Sequence, residues 1–276
     1  MEKSTNDLNI LAIDEFGKSN IYSVDLIMNN LKDKSVNLIA VDRLSSTNTV
    51  LKSIYNTVSD NTVLLADSQT AGRGRLNKKF YSPNNTGVYL SLLSKRKYTK
   101  DDALLITPLV AVAVLDVIKR YAENVKIKWV NDIYIDDRKV CGILTESSFD
   151  LKTGLTVYVI IGIGLNVFKP IDGFPSDISN IATSIFDDKD DCDINLIVAE
   201  LINSINYYLS RFDINKIITE YTDNSYLDGK KVKFIELGHC YEAEVLGVDD
   251  HLRLIVKRND GEIVTLSSGE VAIITN

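Results

Sequence analysis

The chain has 276 residues, 45% of them hydrophobic and 25% charged, with a formal net charge of -7. That size and balance support a real core in one large domain, or a large plus a small one, and the acidity argues against a general nucleic-acid or membrane-surface binder. Two histidines (His239, His251) and three widely separated cysteines (Cys141, Cys192, Cys240) offer no zinc cluster, no Ser-His-Asp triad and no disulfide spacing, which fits a reduced, cytoplasmic compartment.

Residues 1–35 mix Asn, Asp, Lys and Ser with short apolar patches such as Ile10 to Ile13. This is about half the length of a winged helix-turn-helix module, so an extension with one helix is expected. The polar start from Met1 to Asp7 is no secretory signal, and no uncharged run reaches spanning length. A strand is expected over 36–42, followed by a helix from Thr47 to Val58 capped by Ser45 or Ser46, with Val50, Leu51, Ile54 and Val58 on one face. Strands follow over 62–66 and 87–93. Thr107-Pro108 reads as a helix start, with Leu109 to Tyr121 buried. Strands are expected over 126–130, 132–136 and 139–146, then a long one over 155–167, and helices over 195–212 and 214–221. From Tyr226 onward, short alternating runs separated by Gly turns suggest a small β-barrel. The expected organisation is therefore an extension (1–35), a main domain (36–225) and a C-terminal barrel (226–276).

Four segments carry chemistry. Ser46-Thr47-Asn48 opens a helix, where N–H groups and hydroxyls can hold a polar ligand atom, although taken alone a plain N-cap is the favoured reading. In Gln69-Thr70-Ala71-Gly72-Arg73-Gly74-Arg75, glycine admits close backbone approach and arginine supplies forks for phosphate or carboxylate. Such a loop is expected to be mobile until an anion fills it. In the third, Lys126, Lys128 and Asn131-Asp132 share one side of a strand and its end, then Lys139 begins a strand containing Gly142. The fourth, Ile160-Ile161-Gly162-Ile163-Gly164-Leu165-Asn166, places glycines in a buried strand, as a ligand wall or a close helix crossing requires. Asp187 to Asp191 reads as a solvated acidic loop.

In this order (Ser-Thr-Asn, Gln-x-Ala-Gly-Arg-Gly-Arg, Lys-Trp-x-Asn-Asp with Arg-Lys-x-x-Gly-Ile-Leu, and Gly-Ile-Gly-Leu-Asn-Val) the motifs resemble the biotin protein ligase family over roughly residues 40 to 170. The resemblance implies an α+β fold: a mixed, largely antiparallel sheet flanked by helices, class II synthetase-like, with a small C-terminal SH3-like β-barrel. It implies an ATP- and magnesium-dependent, AMP-forming enzyme that makes biotinyl-5'-AMP and transfers biotin to a lysine of a carboxylase biotin carboxyl carrier domain. By position, Ser46, Thr47, Asn48 and Gln69 would line the biotin pocket, with Gly142 against the biotin. Arg73, Gly74 and Arg75 would close over biotin and the adenylate. Lys139 would bind the carboxylate and the new phosphate. Asn131 and Asp132 would face ATP and its magnesium, Asp132 also orienting or deprotonating the acceptor amine, while Asn166 and Phe80 would serve the nucleotide.

Val130 stands where the family often has Pro, and Asn77 and Phe80 where it often has Gly and Trp. Family habit also allows a homodimer through sheet edges. Two alternatives remain open: a lipoate–protein ligase, and a biotin-sensing transcriptional regulator. Residues 1–35, where Lys3, Lys18, Lys32 and Lys34 are balanced by six carboxylates, lack the basic recognition helix a regulator needs. No membrane partner is expected, and DNA is disfavoured.

Overall fold

The computed structural model describes residues 15–236 and 238–274. The unbroken apolar run at the start of β2 (Thr62–Gln69) calls for a strand covered on both faces, and every residue from Thr62 to Asp67 is buried. It lies inside a seven-stranded sheet with β1 (Asn37–Leu44), β3 (Gly87–Ser94), β4 (Val125–Lys128), β5 (Asp132–Ile135), β6 (Arg138–Phe149) and β7 (Thr156–Asn166), in the order β1-β2-β3-β7-β6-β5-β4. Only β1 and β2 run parallel; the other neighbours are antiparallel, giving the mixed sheet that was expected.

Among the described residues five α-helices cover this sheet: α1 (Val24–Asn30), α2 (Thr47–Ile54), α3 (Lys100–Ile118), α4 (Ile194–Arg211) and α5 (Ile214–Asp223). On one face α3 packs against α4 and the sheet, with Ile106, Leu109, Val110, Leu115 and Ile118 fully buried. On the other, Leu51 and Ile54 of α2 close a smaller cluster over Val41, Leu44, Leu64, Ala66 and Ile160. At about 1.5–3 kcal/mol per buried aliphatic side chain, this second cluster is enough to hold α2 firmly against the sheet.

The start of α3 corrects the sequence reading. Thr107-Pro108 lies inside the helix, which begins at Lys100 behind a reciprocal capping box between Thr99 and Asp102. That box satisfies two orphan donors of the first turn, and the fully apolar environment tolerates the single bond lost at Pro108. The expected helix in the extension is α1, capped by Ser23; the Ile10 to Ile13 patch lies outside the described residues. Preceding α1, Phe16 to Ser19 runs along the outer edge of β1, and the buried Asp67 accepts hydrogen bonds from Ser19 and the Asn20 backbone N–H.

The C-terminal runs form a second, antiparallel sheet of β8 (Lys231–Glu236), β9 (His239–Val248), β10 (Leu254–Arg258), β11 (Ile263–Leu266) and β12 (Val271–Ile273), ordered β11-β10-β9-β8-β12, consistent with a small SH3-like domain. It is tied to the main sheet where Trp129 Nε1 donates to the Leu252 carbonyl across 2.9 Å. No described helix is long and apolar enough to cross a membrane.

Candidate active site

Glycines shape the floor of the site. Gly142 and Gly164 face each other in register across β6 and β7, and the Phe80 ring lies over both. A Cβ at Gly164 would come within 2.5 Å of that ring, and one at Gly142 within 3.3 Å. Phe80 and Gly142, assigned from sequence to different ligands, therefore touch each other. Gly162 instead receives α2: a Cβ there would lie 2.1 Å from Asn48 Oδ1, so the close helix crossing is the correct reading of that glycine.

At the N-terminus of α2, Ser46 occupies the cap position but makes no side-chain cap bond. Gln69 Oε1 takes that role, accepting from Thr47 N at 2.9 Å and Thr47 Oγ1 at 3.3 Å, while Gln69 Nε2 donates to Ser82. Asn48 Nδ2 donates to Leu144 O at 3.2 Å and to Glu146 Oε2 at 3.0 Å, and Ser91 Oγ donates to Asn48 Oδ1. The three residues thus form a braced polar wall rather than a simple cap.

The glycine-arginine loop is folded into a tight hairpin. Gly74 N donates to Lys78 O at 2.7 Å and Phe80 N to Gly72 O at 2.9 Å, with Leu76 and Asn77 at positive φ at its tip. Three cations tie it down. Arg73 makes a forked ion pair with Glu146 at 3.0 and 3.2 Å, Arg75 donates to Asn131 Oδ1 at 3.0 Å, and Lys78 pairs with Glu270. Burial alone would raise the Glu146 pKa, but the Asn48 amide, Arg73 and Lys52 outweigh it and hold the carboxyl below its ordinary value.

Beneath the loop, Lys139 Nζ donates to Asp132 Oδ1 at 2.7 Å, and Asn131 Nδ2 is fixed by Ile143 O. Asn166 Nδ2 donates to Thr183 O. These side chains border one cavity of about 410 Å³, which gathers Ser46, Thr47, Asn48, Gln69, Arg73, Gly74, Arg75, Phe80, Asn131, Asp132, Lys139, Gly142 and Asn166, every residue to which the family resemblance gave a role. Lys126 does not join them; it points to the Asp223 carbonyl. The cavity wall carries Arg73, Arg75, Lys78, Lys79, Lys128 and Lys139 against only Asp132 and Glu270, so a strongly cationic hollow sits in an acidic protein.

Several members escaped the sequence reading. Glu146 lay inside a quoted motif without a role, although a carboxylate four residues after Gly142 was available to pair with the loop. Glu270 comes from the C-terminal sheet, and no local pattern announces it. As for metal, no cluster of three potential ligands exists among the described residues, and Asp132 is a single carboxylate already shared with Lys139. A resident metal centre does not fit; a magnesium carried in by phosphates and touching Asp132 does.

A mixed sheet flanked by helices, with a small antiparallel sheet at the C-terminal end, matches the fold of a solved biotin protein ligase. Residues 40–166 match the model of the biotin/lipoate A/B protein ligase family. The bifunctional ligase/repressor BirA of Bacillus subtilis is 32% identical over 234 residues, 81% of this chain and 70% of that protein. BirA of Escherichia coli is 32% identical over 142 residues, of which this match spans 51% of the chain and 43% of the relative. The biotin protein ligase of Aquifex aeolicus, solved in complex with biotin and ATP, superposes with a TM-score of 0.70 at 25% identity, covering 87% of this chain and 99% of that one. The chain belongs to the biotin protein ligase family.

Proposed function

We propose that the protein is an ATP-dependent biotin–protein ligase that forms biotinyl-5'-AMP with release of pyrophosphate, then transfers biotin to a lysine of a biotin carboxyl carrier domain. The observation that carries this reading is the convergence of Lys139, Arg73 and Arg75 on one cavity whose braced polar wall is Thr47, Asn48 and Gln69. It is supported by the Aquifex relative, whose structure holds biotin and ATP. Residues 36–225 would form the catalytic domain and 226–276 the C-terminal domain, which lends Glu270 to the cavity rim.

The biotin carboxylate is ionised at neutral pH and is itself the nucleophile towards the α-phosphorus, so no histidine base is needed. One carboxylate oxygen bonds to phosphorus as the bond to pyrophosphate breaks. Lys139 neutralises the meeting oxyanions, exchanging its Asp132 partner for them, and Arg75 leaves Asn131 for the new phosphate. Asp132 is the residue that would hold a magnesium ion arriving with ATP, which would supply further charge neutralisation. Thr47, Asn48 and Gln69 orient the biotin ring system. Phe80, resting on Gly142 and Gly164, must shift from that floor to admit a ligand to it. In the second step the acceptor amine attacks the mixed anhydride, forming an amide and releasing AMP. Asp132 orients that amine and takes its proton, while the hairpin excludes water from the hydrolysable intermediate.

An exchange assay with ATP and labelled pyrophosphate tests the first step. Exchange that depends on biotin and is silent with lipoate supports this reading, and the reverse preference would replace it with lipoate ligation.

A further inference from the structure

Lys128 is the half-buried cation in this cavity that the reaction above does not use. It ends β4, opposite Asp132 in register, yet Asp132 is bonded to Lys139. Among the described residues Lys128 has no carboxylate within ion-pair distance; its ammonium donates only to the Tyr134 phenol oxygen, at 3.3 Å. Arg73, Lys78 and Lys139 by contrast each have a carboxylate partner, and Arg75 an amide. Burial lowers the Lys128 pKa, a tendency that Lys139 and Lys78 strengthen and that Asp132 and Glu270 only partly offset. Desolvated and unmatched, this ammonium is an anion receptor waiting for charge.

Its support is rigid. The Tyr134 ring stacks on Tyr226 at 4.8 Å between centroids, Tyr226 donates to Asp137, and Lys230 covers its ring at 3.5 Å. Because Lys128 donates to the phenol oxygen, the Tyr134 O–H proton remains available to another acceptor. Both groups border the cavity.

Resting on the ligase reading, we propose that Lys128, aided by Tyr134, binds the β- and γ-phosphates of ATP and steadies the departing pyrophosphate, as a binding site separate from the Lys139 seat of the carboxylate and α-phosphate. The charge inventory supports the division of labour: ATP brings most of its negative charge beyond the α-phosphorus, and every other partly buried cation of the cavity already has a partner.

The test compares wild type with Lys128→Met, or Lys128→Gln should the first not fold, in biotin-dependent ATP–pyrophosphate exchange. A lost charge-assisted contact corresponds to an increase of about 10- to 100-fold in KM for ATP and for pyrophosphate. KM for biotin and the Kd of a non-hydrolysable biotinyl-adenylate analogue, which lacks those phosphates, should stay within about twofold of wild type on the same scale. Lys128→Arg should recover most of the ATP affinity. An unchanged KM for ATP, or equal weakening of the adenylate analogue, would overturn the assignment while leaving the ligase reading intact. Absence of exchange in the wild type would instead remove the ligase reading and this inference with it.

Discussion

Replacing Gly162 by Ala tests the seat of α2. A Cβ at this position lies 2.1 Å from Asn48 Oδ1, where ordinary contact begins at 3.4 Å, so Asn48 must retreat by about 1.3 Å. It cannot do so freely, because Ser91, Leu144 and Glu146 hold both ends of its amide. Overpacking of this kind costs about 1–3 kcal/mol, and each neutral hydrogen bond lost adds about 1 kcal/mol. Relief of the strand glycine works the other way by about 0.5–1 kcal/mol. The net loss is then about 2–4 kcal/mol, or about 4–16 °C in thermal midpoint for a chain of this size. Since Asn48 belongs to the polar wall, biotin affinity should fall at least about tenfold, the equivalent of 1.4 kcal/mol. Differential scanning calorimetry and isothermal titration with biotin measure both. A midpoint within about 1 °C of wild type together with unchanged affinity would refute the crossing as described.

Lys139→Ala should abolish biotin-dependent exchange while lowering stability by less than about 1 kcal/mol, because its ion pair with Asp132 is partly exposed; measurable exchange would remove it from the chemistry. Arg75→Ala should release biotinyl adenylate faster with little effect on folding, read by trapping the intermediate in solution; unchanged release would deny it the phosphate. Glu146→Gln should loosen the hairpin, read as faster proteolysis within residues 70–80. Because the Glu146 pKa is depressed in the fold, its contribution is present above the ordinary glutamate range and disappears as pH falls through the lower folded value. The stability gap between wild type and Glu146→Gln, from urea unfolding, should therefore be full above the ordinary glutamate range and close as pH falls beneath it, and a gap independent of pH would contradict the pairing.

Strand positions and the mixed sheet were legible because β2 and β7 lack polar alternation and β8 to β12 show it clearly. The site residues were legible as separate motifs, each carrying side chains suited to anions. Their mutual arrangement was not. Nothing in the order of residues tells that Arg73 reaches Glu146, that Phe80 lies on Gly164, or that Gln69 caps α2 in place of Ser46. Those contacts depend on sheet register and loop folding, and in the case of Glu270 on a strand turn from the far end of the chain. The misplaced start of α3 has a local cause: proline is a strong helix-start signal, while the Thr99 capping box ends in Asp rather than the more familiar Glu.

The most direct measurement is intact-mass spectrometry of a biotin carboxyl carrier domain incubated with the protein, ATP, magnesium and biotin. A single biotinyl mass increment, absent when ATP is omitted or Lys139 is replaced, is the predicted result. A carrier that keeps its original mass under conditions where a known ligase modifies it would contradict the proposed activity.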